Sequence, residues 1–188
     1  MALFGILLQV KSSYFDLIDE NDNLIGKTAS YDEVHSQGLW HRGVHVLIYT
    51  PDGQIVMQKR SLSMKYHPDE IEVSVGGGVD RGETPLEAAI REVHEELNIR
   101  IKKKDIKLIG KSKFNHRTKT QINRVFQYSY SVCVPKDQID LNINTIETSK
   151  VFLVTKRKLR FALRVHRIKN IGKITPTYAY WKYLIDSI

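Results

Sequence analysis

The sequence predicts one α/β (α+β) domain, in which a β-rich sheet packs against helices, and two observations support this class. Apolar, β-branched and aromatic runs alternate with helical patterns in the order β-rich, helix, β-rich, helix. The 188 residues are 41% hydrophobic and 27% charged, which is typical of a globular protein with an ample core. We therefore expect a single domain over residues 1–188.

The first predicted elements are a strand and two hairpins. The opening MALFGILLQV is apolar but lacks a basic start and a cleavage site, so it fits a first strand better than a signal peptide. Residues 14–28 hold two apolar runs around the polar turn ENDN, which predicts a β-hairpin. HVLIYTPDGQIVMQKR repeats this pattern around Pro51, Asp52 and Gly53, because Pro presets a turn and Gly accepts a positive φ.

Residues 77–99, GGVDRGETPLEAAIREVHEELNI, predict a capped amphipathic helix. Thr84 can cap it, Pro85 suits the first helical position, and Glu87 can complete a Thr-x-x-Glu capping box. The apolar stripe that must face a core consists of Leu86, Ala89, Ile90, Val93 and Leu97.

Three carboxylates lie on one flank of this helix. Glu92, Glu95 and Glu96 stand at i, i+3 and i+4, where each like-charged pair costs about 0.2–0.5 kcal/mol. A hard divalent cation such as Mg²⁺ would compensate them, because it prefers oxygen ligands. Taken alone, such a trio also fits an ordinary solvated acidic face.

The residues around the helix favour the cation. Gly76, Gly77 and Gly78 follow IEVSV, which we expect to be an apolar strand, and without Cβ atoms their backbone can approach an ion or a phosphate closely. Glu83 can reach the same flank, and Arg91 can pair with a carboxylate and orient it.

Three strands and a helix are expected after residue 99. IKLIGKSKF, RVFQYSYSVCV and KVFLVT are rich in β-branched or aromatic residues, so each predicts a strand. The lone cysteine, Cys133, lies in the second run, where we expect a buried thiol without a catalytic role. TPTYAYWKYLIDSI predicts a closing helix over about residues 177–187, with Thr175 or Thr177 as its cap.

Together, Gly77, Glu83 and the run from Arg91 to Leu97 resemble the signature of the Nudix hydrolases. Asn98 stands where the family has a glycine, a mild change because Asn is the best substitute in a left-handed helix terminus. The resemblance implies a mixed β-sheet sandwiched between α-helices, and hydrolysis of a pyrophosphate linkage with Mg²⁺ or Mn²⁺ as cofactor.

The resemblance also implies roles for these residues. The implied metal ligands are Glu92, Glu95, Glu96 and the carbonyl of Gly77. The implied catalytic residues are Glu83, close to the metal and its water, Glu96, and Arg91 as the orienting residue. In several members a glutamate outside the helix acts as base or extra ligand. Glu147 is the candidate here because it precedes a strand whose Phe152 resembles the family's aromatic, with Asp140 as the fallback.

A weaker resemblance over residues 14–99 points to the Nudix subgroup related to isopentenyl-diphosphate isomerase, which raises isomerisation as an alternative. The isomerase motif has Cys-Gly-His where this chain has Gly76–Gly78, and its chemistry needs a cysteine near the site. Hydrolysis is therefore favoured. A non-catalytic nucleotide-binding module is a third possibility, although none of the signature carboxylates is eroded.

The expected substrate is a nucleoside diphosphate derivative or a similar small diphosphate. Candidate phosphate-binding residues, on or near the strands that lead to the site, are Arg42, Lys59 and Arg60. The 29 Lys and Arg exceed the 21 Asp and Glu, so the protein attracts polyanions, and an RNA 5′ end is an alternative partner without an RNA-binding motif. No segment approaches the roughly 20 apolar residues of a membrane span, and we expect a cytoplasmic protein.

Overall fold

The structure is a computed structural model that describes residues 14–64, 67–117, 121–143, 145–174 and 178–188. The helices within these ranges are α1 (Tyr31–Gln37), α2 (Pro85–Leu97), α3 (Lys156–Arg164) and α4 (Tyr178–Asp186). The strands are β1 (Tyr14–Ile18), β2 (Leu24–Ser30), β3 (Trp40–Tyr49), β4 (Gln54–Arg60), β5 (Ile71–Glu72), β6 (Val75–Gly78), β7 (Ile106–Arg117), β8 (Ile122–Cys133), β9 (Thr148–Thr155), β10 (Arg167–Ile168) and β11 (Gly172–Lys173).

Within the described residues, seven strands form the central sheet, five of them in the order β5-β4-β3-β8-β7. β6 pairs with β3, and β9 pairs with β4, both in the antiparallel sense. β3 and β8 run parallel, from Trp40 opposite Arg124 to Tyr49 opposite Cys133. The sheet is therefore mixed, and because helices cover both of its faces, the predicted fold class is confirmed.

Side chains of β3 alternate between the two faces of the sheet, as the two-residue period of a strand requires. Val44 and Val46 pack against the apolar side of α2, including the fully buried Val93. Leu47 packs on the opposite face, against a core that includes Trp181 of α4. The glutamates of α2 consequently lie over the face of the sheet that carries Val44 and Val46.

The hairpin of β1 and β2 extends over residues 14–30 and is fastened to the sheet at its turn. Asp22, which is 8% exposed, accepts hydrogen bonds from Arg42 Nε at 2.6 Å, Lys111 Nζ at 2.6 Å and Tyr128 Oη at 2.5 Å. Burial raises the pKa of Asp22, but these three hydrogen bonds outweigh burial and hold the pKa below its ordinary value.

Two sequence expectations are wrong in detail. Gly76–Gly78 do not follow a strand but form the end of β6, where they pair with His45, Val44 and Gly43. Cys133 is exposed rather than buried, because Val132 and Val134 occupy the core-facing positions on either side of it.

Several expectations concern the chain ends and the short helices. The first strand expected near residues 1–10 and the caps Thr175 and Thr177 lie outside the described residues. The closing helix, expected over about 177–187, is α4, and the residue patterns do not predict α1 or α3. No helix in the described part of the chain is both long and apolar enough to cross a lipid bilayer.

Candidate active site

Helix α2 begins and ends where its cap residues dictate. The Glu87 N–H donates to Thr84 Oγ1 at 3.3 Å, and the Glu87 carboxylate accepts from the Thr84 N–H at 3.1 Å, so the capping box is formed. At the other end Asn98 adopts the left-handed conformation with φ 53° and donates its N–H to the His94 carbonyl. These caps hold the flank that carries the three glutamates in register with the sheet.

Arg91 is the centre of the hydrogen bonds on this flank. It donates to both carboxylate oxygens of Glu83, from Nε at 2.8 Å and from Nη2 at 2.9 Å. Its Nη1 donates to Glu92 at 2.6 Å and to Glu95 at 3.1 Å, and its Nη2 donates to the Gly78 carbonyl at 3.0 Å. A bidentate arginine pair fixes geometry as well as charge, so Arg91 orients Glu83 against the end of β6.

Gly77 makes room for Glu92. A Cβ added at Gly77 would stand 2.2 Å from the carboxyl carbon of Glu92, so the Glu92 side chain would have to leave its present position. Gly77 itself is held opposite Val44 by the pairing of β6 with β3. The glycine therefore lets a carboxylate lie directly on the strand backbone.

Glu96 is held by a hydrogen-bond chain that residue patterns did not predict. Gln58 Nε2 donates to Glu96 at 2.5 Å, and the Thr148 hydroxyl donates to Gln58 Oε1 at 2.5 Å. Gln58 and Thr148 are each 2% exposed, so neither group has water as an alternative partner. This Gln58 relay, defined as Thr148, Gln58 and Glu96, joins the start of β9 to α2 through β4.

A second unpredicted residue, Glu72 of β5, lies near the helix carboxylates. Arg60 Nη1 donates to both oxygens of Glu72, at 2.7 and 2.8 Å. The charge of Glu72 contributes to the raised pKa of Glu96, and the charge of Glu147 contributes to the raised pKa of both Glu92 and Glu96. Glu72 and Glu147 are therefore brought to the same cluster as the glutamates of α2.

Burial makes negative charge costly in this cluster. It raises the pKa of Glu92 to about 7, despite the opposing charge of Arg91. It also raises the pKa of Glu96 well above its ordinary range, with the charges of Glu72 and Glu92 adding to the effect, and it raises the pKa of Glu72. A group of anions that repel one another in a partly desolvated place is a donor set that suits a divalent cation.

The described residues hold no group of three or more His, Cys, Asp or Glu side chains already arranged around one ion position. Glu92 and Glu95 are bonded to Arg91, and Glu96 is bonded to Gln58. The site nevertheless fits Mg²⁺ or Mn²⁺, because it offers carboxylate oxygens, close approach to the backbone at Gly77 and carboxyl groups with raised pKa values. To bind the ion, Glu92 and Glu95 would exchange their hydrogen bonds with Arg91, and Glu96 its hydrogen bond with Gln58, for bonds to the metal.

The three cations expected to bind phosphate are each paired with a carboxylate. Arg42 pairs with Asp22 at 2.6 Å in the hairpin turn, and Lys59 pairs with Asp69 at 2.6 Å. Arg60, paired with Glu72, is the one that lies at the glutamate cluster. The fallback Asp140 instead accepts the Asn142 N–H within its own turn.

Comparison with known proteins gives a consistent picture. A sequence model of the NUDIX domain matches residues 39–173. A Nudix hydrolase of Listeria innocua is 33% identical over 164 residues, which cover 87% of this chain and 89% of that relative. A Nudix hydrolase of Yersinia pestis is 36% identical over 86 residues, 46% of this chain and 47% of that relative, so this match spans about half of each protein.

A solved structure gives the corresponding result for the fold. DR0079 from Deinococcus radiodurans matches with a TM-score of 0.67 at 23% identity, covering 89% of this chain and 96% of that one. At this identity the likeness concerns the fold alone. The family match over most of the chain, together with the Listeria relative, shows that this protein belongs to the Nudix hydrolase family.

Proposed function

We propose that this protein hydrolyses a pyrophosphate linkage in a nucleoside diphosphate derivative or a similar small diphosphate, with Mg²⁺ or Mn²⁺ as cofactor. The observation that carries the proposal is the pair of partly buried carboxyl groups of Glu92 and Glu96, whose negative charges disfavour each other, with Glu92 packed against the backbone of Gly77. A divalent cation offsets that repulsion, and a pyrophosphate needs the same cation to neutralise its own charge.

The residues that would hold the cation are Glu92, Glu95, Glu96 and the carbonyl of Gly77. When bound, the cation neutralises phosphate charge and lowers the pKa of a water molecule, so that water can attack phosphorus at neutral pH. Arg91 orients Glu83 through two parallel hydrogen bonds, and Gln58 orients Glu96.

We assign Glu147 as the acceptor of the proton that the attacking water releases. Its side chain is exposed, and its charge acts on both Glu92 and Glu96, so it lies at the solvent edge of the cluster. Glu83 is the second candidate, but its two hydrogen bonds from Arg91 favour a fixed carboxylate over one that exchanges protons.

Arg60 is the proposed contact for a substrate phosphate. It reaches the glutamate cluster through Glu72, whereas Arg42 and Lys59 pair with carboxylates of the hairpin turn and of the segment before β5. An arginine suits this place because its planar fork matches phosphate oxygens.

The structure supports hydrolysis over isomerisation. Gly76 and Gly78 carry no thiol or imidazole of their own. Cys133 lies opposite Tyr49, five residues along β3 from the Val44 that faces Gly77, a distance of about 16 Å along a strand. Conversion of isopentenyl diphosphate to dimethylallyl diphosphate by the pure protein would overturn this ranking.

A hydrolysis panel tests the proposal. The purified protein is incubated with Mg²⁺ and with nucleoside diphosphate sugars, nucleoside triphosphates, dinucleoside polyphosphates and triphosphorylated or capped RNA. We expect release of phosphate or nucleoside monophosphate from a free nucleotide, and loss of at least about 10-fold in rate for Glu96→Gln, since even the loss of a hydrogen-bond partner of a metal ligand costs about 10–100-fold. Glu20→Gln, an exposed glutamate of the hairpin turn, is the matched control and keeps full rate.

The same panel separates the alternatives. Faster release from RNA than from any free nucleotide would move the proposal to an RNA 5′-end pyrophosphohydrolase. Nucleotide binding without release of any product would favour a non-catalytic module. Product release that is unchanged in Glu96→Gln would show that the glutamates of α2 are not the catalytic site.

A further inference from the structure

A groove of about 900 Å³ lies on the side of the molecule away from α2. It is formed by the end of β9, by α3, and by β10 with the turn that connects it to β11. Its apolar lining includes Phe152, Val154, Phe161, Val165, Ile168 and Ile171. Phe152 and Val154 belong to the core under α3 and α4, whereas Val151 belongs to the core under α2, so the groove opens on the opposite face of the sheet from the glutamates.

The charged side chains of the groove are all positive. They are Arg157, Lys158, Arg167 and Lys169, and no Asp or Glu is among the described residues that line it. None of these four side chains makes a hydrogen bond or an ion pair within the described part of the chain. Nearby, Arg160 pairs with Asp186 at 2.7 Å and Lys173 pairs with Glu70 at 3.2 Å, so acidic partners serve the neighbouring cations but not those of the groove.

The rim of the groove also exposes apolar surface. Phe161 is 67% exposed and Val165 is 52% exposed. Phe161 lies in α3 and Val165 directly follows the helix, four residues later, so the two side chains are neighbours on the helix surface. Exposed apolar residues framed by polar ones mark binding surfaces more often than isolated ones do. An apolar floor, an apolar rim and unneutralised cations thus occur together.

We propose that this groove binds an amphiphilic anion, an alkyl or acyl chain that carries a phosphate head. Its volume lies in the range of about 300–1,000 Å³ of small-molecule sites, and an apolar lining with a few polar groups is typical of them. A phosphate ester carries a charge of roughly −1.5 to −2 at neutral pH. It therefore neutralises the four cations of the groove better than a single carboxylate would. Arg157 and Arg167 can each bind phosphate oxygens in pairs.

The lining favours a chain over nucleic-acid bases. Single-stranded nucleic acid is held by aromatic faces on which successive bases stack. Among the lining residues Phe161 is the exposed aromatic side chain, and Phe152 is 8% exposed, while the remaining apolar residues are aliphatic. Aliphatic side chains pack well against methylene groups, which an alkyl chain provides.

The test uses dodecyl phosphate below its micelle concentration, titrated into the full chain by calorimetry. EDTA is present, so that the glutamate site holds no divalent cation and does not contribute phosphate binding. We expect saturable binding of one molecule per chain, with inorganic phosphate and dodecanol each bound at least about tenfold more weakly, because each lacks half of the contacts.

Variants locate the binding. Arg157→Ala combined with Arg167→Ala is expected to weaken dodecyl phosphate binding at least about tenfold, through loss of charge-assisted hydrogen bonds. Val165→Glu, at an exposed position, is expected to weaken binding as well, because it places a negative charge beside the alkyl phosphate. Arg100→Ala removes an exposed arginine elsewhere and is expected to bind as the unaltered protein does.

Unfolding temperatures of all variants are compared with that of the unaltered protein, so that loss of fold is recognised. The proposal is overturned if dodecyl phosphate shows no saturable binding, if the groove variants bind it as tightly as Arg100→Ala, or if a 12-nucleotide oligouridylate binds more tightly and is weakened by the same variants. None of these outcomes depends on hydrolysis, since no cation is present.

Discussion

Gln58 connects two parts of the candidate site that lie far apart in the chain. Its amide donates to Glu96, 38 residues away, and accepts from Thr148, 90 residues away. Partners of this kind orient a ligand and raise its affinity for a metal, and their loss costs about 10–100-fold in metal affinity or activity. Gln58 therefore acts through Glu96 and is a positioning residue.

We predict that Gln58→Leu raises the Mg²⁺ concentration for half-maximal rate about tenfold or more, because Glu96 loses its donor. Thr148→Val is expected to raise it less, and to add little in the Gln58→Leu background, since both act through one amide. The measurement is the Mg²⁺ dependence of hydrolysis, supported by Mn²⁺ binding in the absence of substrate.

Ser74→Ala is the matched control for this relay. Ser74 is fully buried and donates to the Val56 carbonyl at 2.6 Å while accepting the Ile48 N–H at 2.8 Å, on strands of the same sheet. Its loss is expected to lower stability without moving the Mg²⁺ requirement. Additive effects of Gln58→Leu and Thr148→Val on that requirement would contradict the relay.

Some residues of the candidate site were predictable from the sequence and others were not. Glu92, Glu95, Glu96 and Arg91 lie within six residues, so helix periodicity alone places them on one flank. Gln58 and Glu72 come from strands, and nothing local tells which distant carboxylate they meet. The available signal is a polar residue inside an apolar run, IVMQKR for Gln58 and IEVSV for Glu72.

At the scale of elements, α2 is the helix whose ends were most readable from sequence. Asn98 has φ 53°, a conformation that costs roughly 1–2 kcal/mol for residues with a Cβ other than Asn and Asp. We predict that Asn98→Ala lowers the free energy of unfolding by about 1 kcal/mol, while Asn98→Gly leaves it unchanged or higher. Urea unfolding of the two variants measures the difference, and equal stability of the Ala and Gly variants would contradict the left-handed cap.

The elements that the patterns missed are short. Helix α1 carries a capping box between Ser30 and Glu33 and ends at Gly38 in the left-handed conformation, so its signals were present in seven residues without an apolar stripe to confirm them. Helix α3 begins with Lys156, Arg157 and Lys158 and has no acidic residue in its first turn. Such a helix depends on tertiary packing, here the burial of Leu159 and its neighbours, which local propensity does not reveal.

At the scale of the whole molecule, the acidic site sits on a protein of net charge +8. The folded state holds the Glu92 proton up to a pKa of about 7, against about 4.5 in the unfolded chain. The stability that this proton supplies is complete below pH 4.5 and is lost as pH rises through 7. A divalent cation replaces the proton and removes this loss.

We predict that, in EDTA, the free energy of unfolding of the unaltered protein falls relative to that of Glu92→Gln as pH rises from 5 to 8, and that Mg²⁺ reduces the fall. The difference between the two proteins is the useful quantity. Burial lowers the pKa of His41 and His45 to about 4, which changes stability in the opposite direction but equally in both proteins. A difference independent of pH would contradict the raised pKa of Glu92.

Binding of Mn²⁺ to the pure protein, followed by electron paramagnetic resonance without substrate, tests most directly that the glutamates of α2 form a cation site. We predict saturable binding that tightens between pH 6 and pH 8, as Glu92 loses its proton, and that weakens at least about tenfold in Glu92→Gln and in Glu96→Gln but not in Glu20→Gln. Binding that is unchanged in both glutamine variants, or its absence from the unaltered protein at pH 8, would contradict it.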